Sequence, residues 1–169
     1  MKKIKFILLA AVSILAVACG TEGPQGPAGT NGTDGNANVM YSDWFTSGTW
    51  TGGGTTYGYF DKAASQITQT VLDNGVVLAY AKLTADGTTV RPLPITTSSG
   101  ATTVIWNYTL TAVGNIRFDF TSVSAATWNP SPDNQFRYIV IPGGTHLRLS
   151  KPLREMTYEA VCDMFNIPL

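Results

Sequence analysis

The chain from Asn38 onward predicts a mainly β fold: a β-sandwich-like domain with one or two short helices. Three observations lead there. Short runs rich in Thr, Val, Tyr and Trp recur at close spacing, separated by Gly, Pro and Asn turn signals. Several runs alternate apolar and polar residues with a period of two, the pattern of a strand with one buried face. Charged residues make up only 13% of the chain, and about 130 residues suffice for one hydrophobic core and hardly for two.

Residues 39–45 read as the first strand, followed by a Gly/Thr loop, 46–56, that holds Trp50. Residues 57–60 read as a second, short strand. Residues 66–73 read as a short helix capped by Gly75, with Ile67 and Val71 on one side; a hairpin turn at Asn74-Gly75 is the alternative. Residues 76–83 are apolar on both faces, as expected of a central strand. Residues 102–110 place Val104, Trp106, Tyr108 and Leu110 on one side, and 115–121 do the same with Ile116, Phe118 and Phe120. Residues 136–141 form another strong strand, ended by Pro142-Gly143-Gly144. Residues 145–150 alternate again, with Leu147 and Leu149 inward. Thr157 is placed to cap a helix over 158–165, whose Val161 and Phe165 share a face and which Pro168 closes. Cys162 lies in that helix and reads as a small buried hydrophobe.

The first eighteen residues read as a leader and not as fold. Lys2, Lys3 and Lys5 precede an almost wholly apolar run, Phe6 to Val17. That run is roughly 18 Å long as a helix, against a bilayer core of roughly 30 Å. A basic start, a short apolar stretch and a small-residue exit form a secretory signal. The exit, Ala16-Val17-Ala18-Cys19, resembles the lipobox of bacterial lipoproteins, which are cut before a lipid-carrying Cys. The family usually has Leu three residues before that Cys, where this chain has Ala16. Ala16-Val17-Ala18 also fits the ordinary small-x-small pattern, and both routes leave Cys19 first in the mature chain.

Directly behind Cys19, Gly recurs at 20, 23, 26, 29, 32 and 35. With Gly averaging about 7% of residues, this register lies far outside chance. It is the Gly-X-Y pattern of a triple helix, whose axis admits only Gly at every third place. The first forty residues thus resemble bacterial collagen-like lipoproteins, which set a short Gly-X-Y run between a lipid anchor and a globular β domain. Pro occurs only at 24 and 27, never in the Y place, so the run reads first as an extended linker over 19–37. Eighteen such residues reach roughly 55 Å from a bilayer. A homotrimeric stalk, stabilised by high local concentration, is the alternative.

Charge and residue inventory narrow the chemistry. Removing the leader takes three of eleven basic residues and none of the eleven acidic ones, leaving a net charge of −3. No basic stripe survives, so no nucleic-acid partner is expected. His146 is the only histidine, which leaves little material for a metal site, and no Gly-x-Ser-x-Gly elbow is present. Asp43, Asp61, Asp119 and Asp133 are the candidates for paired-carboxylate hydrolysis. Each sits in ordinary surroundings, and Arg117 with Asp119 reads as a solvated same-face pair. Asn31, Asp34, Asn36 and Asn38 gather oxygen ligands without the spacing or closing Glu of a calcium loop. Gly52-Gly53-Gly54 lacks the Lys and helix of a phosphate cradle. No enzyme activity, metal or cofactor is therefore expected.

The positive signal is aromatic. Trp44, Trp50, Tyr57, Tyr59 and Trp128 fall in or beside loops, where large rigid rings serve recognition. Trp44, Trp50, Tyr57 and Trp128 are the candidate ligand-binding residues, and Cys19 is the lipidation site. The expected protein is a non-enzymatic lipoprotein held to a bacterial membrane, with the outer membrane or cell surface as its place. Its β-sandwich presents an interaction surface to a glycan or protein partner; a carbohydrate-binding module and a trimeric stalk protein are the alternatives.

Overall fold

The computed structural model describes residues 38–124, 127–143 and 151–169. The expected leader, Cys19, the Gly-X-Y linker and the 145–150 strand with His146 lie outside them. Two antiparallel sheets face each other. The first runs β1 (Met40–Tyr41), β9 (Gln135–Ile141), β4 (Val76–Lys82), β5 (Val90–Pro92), with β2 (Phe45–Thr46) also paired to β9. The second runs β3 (Tyr57–Ala63), β8 (Asn115–Ser122), β7 (Thr102–Ala112), β6 (Ile95–Ser99). Two short helices complete the fold, α1 (Gln69–Asn74) and α2 (Tyr158–Phe165).

The inward residues of both sheets make the main core. Phe60 comes from β3, Val77, Ala79 and Ala81 from β4, Val104 and Trp106 from β7, Ile116, Phe118 and Phe120 from β8, and Phe136 and Val140 from β9. Alternate residues of β4 and β9 point the other way. Leu78, Tyr80, Ile139 and Ile141 form a second cluster with Tyr158, Val161 and Cys162 of α2. The first sheet is thus buried on both faces, and for this reason its strands read as continuous apolar runs. Cys162 is buried there, as its surroundings in the sequence suggested, and burial pushes its thiol pKa up.

The predicted first strand is broken in two. Met40 and Tyr41 pair with Val140 and Ile139, whereas Phe45 and Thr46 pair with Phe136 and Gln135. Three residues, 42–44, therefore face two on β9, which is a β-bulge. The bulge lets Met40 and Phe45, an odd number of positions apart, both face the inter-sheet core. It also turns Trp44 to the other side of the sheet, against α2.

The segment after β3 is a helix and not a hairpin. Thr68 caps it, its Oγ1 accepting from the Val71 N–H at 3.3 Å. Gly75 has an extended backbone, so positive φ is not what the site demands. A Cβ there would lie 2.8 Å from both the Ile141 and Val71 carbonyl oxygens. With Ile67 and Val71 buried, this segment plugs the end of the core beside the β7–β8 turn, where the Gly114 N–H donates to the Ile67 carbonyl at 2.7 Å.

The helix α2 begins as the sequence predicts, the Ala160 N–H donating to Thr157 Oγ1 at 3.2 Å. Its stop is Asn166, in the left-handed region at φ 53°, with the Ile167 N–H closing onto the Cys162 carbonyl at 2.8 Å. Pro168 lies beyond that stop and does not make it. Strands β5 and β6 have no counterpart in the sequence reading, because Pro92 and Pro94 interrupt the pattern around them. Pro92 is tolerated where it is because β5 is an edge strand.

Candidate functional site

The two sheets differ in what lies on their outer faces. The first is roofed by α2. The outer face of the second carries side chains from β3, β8 and β7 in register. Tyr57, Tyr59 and Asp61 stand beside Thr121, Asp119 and Arg117, which stand beside Ile105, Asn107 and Thr109. Strand alternation sends these outward because Phe60, Phe118, Phe120 and Trp106 are drawn into the core. Gly58, inward between the two tyrosines, leaves the space that Phe120 fills: a Cβ there would lie 2.5 Å from Phe120 Cε1.

Tyr57 is 45% exposed. Its ring lies 6.1 Å from that of Tyr59, tilted by 38°. The Arg117 guanidinium sits 3.8 Å from the Tyr59 ring centroid. Its Nε and Nη2 donate to the two carboxylate oxygens of Asp61, each at 2.8 Å. This bidentate bond holds the Asp61 carboxyl below the usual carboxylate range and holds the Arg117 proton more tightly still. Arg117, Asp61 and Tyr59 thus make one fixed assembly, spanning two strands.

The expected Arg117–Asp119 pair is not formed. Same-face neighbours along one strand are about 7 Å apart, whereas directly opposed residues on neighbouring strands are about 5 Å apart at Cβ. Arg117 therefore reaches across to Asp61. Asp119 is left 9% exposed, on the solvent side of the sheet, with no hydrogen-bond donor among the described residues. Burial raises its pKa, and the nearby Arg117 charge pulls the other way.

Of the four aromatic candidates, only Tyr57 stands on this face. Trp50 is 8% exposed and belongs to the core, edge-on to Phe60 at 4.9 Å and Phe120 at 5.3 Å. Trp44 is half-buried under α2, 5.7 Å from the Tyr158 ring, with Lys82 Nζ 4.1 Å from its own. Trp128 packs against the core and bridges the loop after Trp50 through the Thr55 backbone. The loop aromatics are thus mostly packing residues; the indole N–H groups of Trp44, Trp50 and Trp128 are buried without an acceptor among the described residues. Of the other members of this face, Asn107 has no place in the sequence reading, Tyr59 stands there among the aromatics but not among the candidates, and Arg117 and Asp119 read as a solvated pair rather than as parts of this face. The outward phase of β3, β8 and β7 is the signal that groups them.

Other surfaces offer less. A shallow cavity of about 530 Å³ lies between β5 and the start of α2, lined by Val90, Pro92, Met156 and Glu159 among others. Among the described residues no three of His, Cys, Asp and Glu gather closely enough to hold a metal ion. No known protein family, curated protein or solved structure matches the chain.

Proposed function

We propose that this chain is a membrane-anchored envelope or surface lipoprotein whose β-sandwich is a non-enzymatic interaction domain. The outer face of the β3–β8–β7–β6 sheet is its interaction surface. The observation that carries this is the asymmetry of the two sheets. One outer face is covered by the apolar side of a helix, while the other holds an exposed and a half-buried tyrosine, a fixed ion pair and a carboxylate with no donor among the described residues, all in one patch. No helix among the described residues is long and apolar enough to cross a membrane, and attachment is assigned to acyl chains on Cys19. Two chains give stable attachment where one gives only marginal binding. The Gly-X-Y run then holds the sandwich away from the bilayer.

Two measurements test this. In detergent phase partition, native protein should enter the detergent phase and the Cys19→Ala form the aqueous phase; native protein in the aqueous phase refutes the anchor. For the surface, a photo-crosslinker is placed by Tyr57→benzoylphenylalanine in living cells, with Glu159→benzoylphenylalanine on α2 as control. An adduct of increased mass is expected from position 57 alone. Equal adducts from both positions, or none from 57, refute the assignment of the face.

A further inference from the structure

Resting on that reading of the sheet face, we propose that its ligand is an uncharged saccharide chain. A sugar ring lies on Tyr57, and a hydroxyl of the same chain donates to Asp119.

The carboxylate sets the first requirement. Asp119 is nine-tenths buried on the side of the sheet that faces solvent, and no donor among the described residues answers it. Its cross-strand neighbours are Tyr59 and Asn107, and what exposure it keeps lies at its oxygens, which reach solvent, so a ligand that displaces water there brings an N–H or O–H. A carboxylate held in place by the fold and met by a ligand's donor is a source of specificity.

The ring sets the second. Tyr57 is 45% exposed and stands diagonal to Asp119, in the next same-face row. A ligand that covers both carries an apolar patch and a hydrogen-bond donor within about 7 Å. A sugar does this within one ring, since its C–H groups make a flat apolar side and its hydroxyls fan out from the edge.

Charge sets the third. Arg117 is the cation of the patch, and Asp61 already occupies its fork with two bonds of 2.8 Å. What remains is the uncompensated charge of Asp119, which repels phosphate, sulfate and uronate groups. Around it stand Asn107, Thr121 and Thr109, each able to donate and accept. A hydroxyl does the same, so such a lining suits a polyhydroxylated partner. The arrangement is also rigid before binding: the Asp61–Arg117 bond and the Arg117–Tyr59 stack hold the floor in place, which lowers the cost of ordering on association.

The test uses the full mature chain in detergent, applied to immobilised hexamers of β-1,4-linked glucose and of β-1,4-linked N-acetylglucosamine, α-mannan and galactan, with heparin as the anionic comparison. Retention on at least one uncharged saccharide and none on heparin is expected. Tyr57→Ala and Asp119→Ala should each weaken that retention at least tenfold, while Asp119→Ala unfolds at the same or a higher urea concentration than native protein. That combination separates a ligand contact from a structural role. No retention on any uncharged saccharide, or retention untouched by both variants, overturns the proposal. If a polypeptide adduct forms from position 57 and no saccharide is retained, the face binds protein: the saccharide assignment fails and the interaction surface stands. If neither is found, both fail together.

Discussion

Trp50 separates a ligand-binding side chain from a packing one, and replacing it with Ala has a cost that follows from its surroundings. The indole stands edge-on to Phe60 at 4.9 Å, Phe120 at 5.3 Å, and Trp106 and Phe136 at 6.0 Å. Truncating a buried Trp to Ala typically costs about 3–5 kcal/mol, from lost transfer energy and the cavity left behind. One feature of the site moves the figure down that range. The Trp50 N–H is buried without an acceptor among the described residues, and an unmade buried donor already costs about 1–3 kcal/mol; removing the indole removes that penalty too. The expected loss for Trp50→Ala is therefore about 3 kcal/mol, a large part of the roughly 5–15 kcal/mol that holds a domain folded. Trp50→Phe keeps a ring among the four aromatics and deletes the orphan donor, so it should stay within about 1 kcal/mol of native. Tyr57→Ala, on the open face, should change stability by less than about 0.5 kcal/mol. Urea unfolding of the three variants reads these directly. With a slope near 2 kcal/mol per molar, Trp50→Ala lowers the midpoint by about 1.5 M. A midpoint unchanged by Trp50→Ala, or a Trp50→Phe loss as large as the Ala loss, refutes the packing argument.

Three further outcomes follow from other contacts. Arg137 is 3% exposed and has no carboxylate partner among the described residues; its guanidinium donates to the Ser42 carbonyl at 2.9 Å, the Pro168 carbonyl at 2.7 Å and the Tyr158 hydroxyl. Arg137→Ala should cost about 3 kcal/mol and speed hydrogen exchange in α2 first, since that bond set pins the C-terminal segment to β9; uniform exchange across both sheets would count against it. Asp61 titrates below the ordinary carboxylate range because Arg117 binds its charged form. Its contribution is present above the unfolded pKa and lost as pH falls through the folded one. Asp61→Asn should therefore destabilise at pH 7, with the difference closing as the pH falls below the ordinary carboxylate range; a difference that persists in strong acid means the carboxylate charge is not the cause. Gly58→Ala brings a methyl carbon to 2.5 Å from the Phe120 ring and should cost about 1–3 kcal/mol by overpacking. Adding Phe120→Leu should recover part of the loss, and failure to do so would place the strain elsewhere.

The packing also explains why only one face is left for recognition. β4 and β9 carry apolar side chains on both sides, so the first sheet needs a second layer, and α2 supplies it with Tyr158, Val161 and Cys162. β3, β7 and β8 send most of their large apolar residues inward, and their outward Thr, Asn, Asp and Arg side chains, with Tyr57, Tyr59 and Ile105 among them, do not make the continuous apolar face that calls for a covering helix.

Local chemistry let the sequence by itself determine much of this protein. Alternation marks Val104, Trp106, Tyr108 and Leu110 as one face of a strand and Ile116, Phe118 and Phe120 as another. The Thr157 cap and the spacing of Val161 and Phe165 mark α2, because each signal lies within a few residues of its effect. Tertiary structure alone decided whatever depends on the partner across a strand. Arg117 finds Asp61, 56 residues away, rather than Asp119, two residues away, because β3 is laid beside β8 in that register. Trp50 and Tyr57 look alike in a Gly/Thr-rich stretch, yet one fills the core and the other faces water. The bulge at 42–44 is invisible in the strand's composition and exists to reconcile Met40 and Phe45 with one core. Periodicity says that a side chain alternates; only the placement of the neighbouring strand says what it meets.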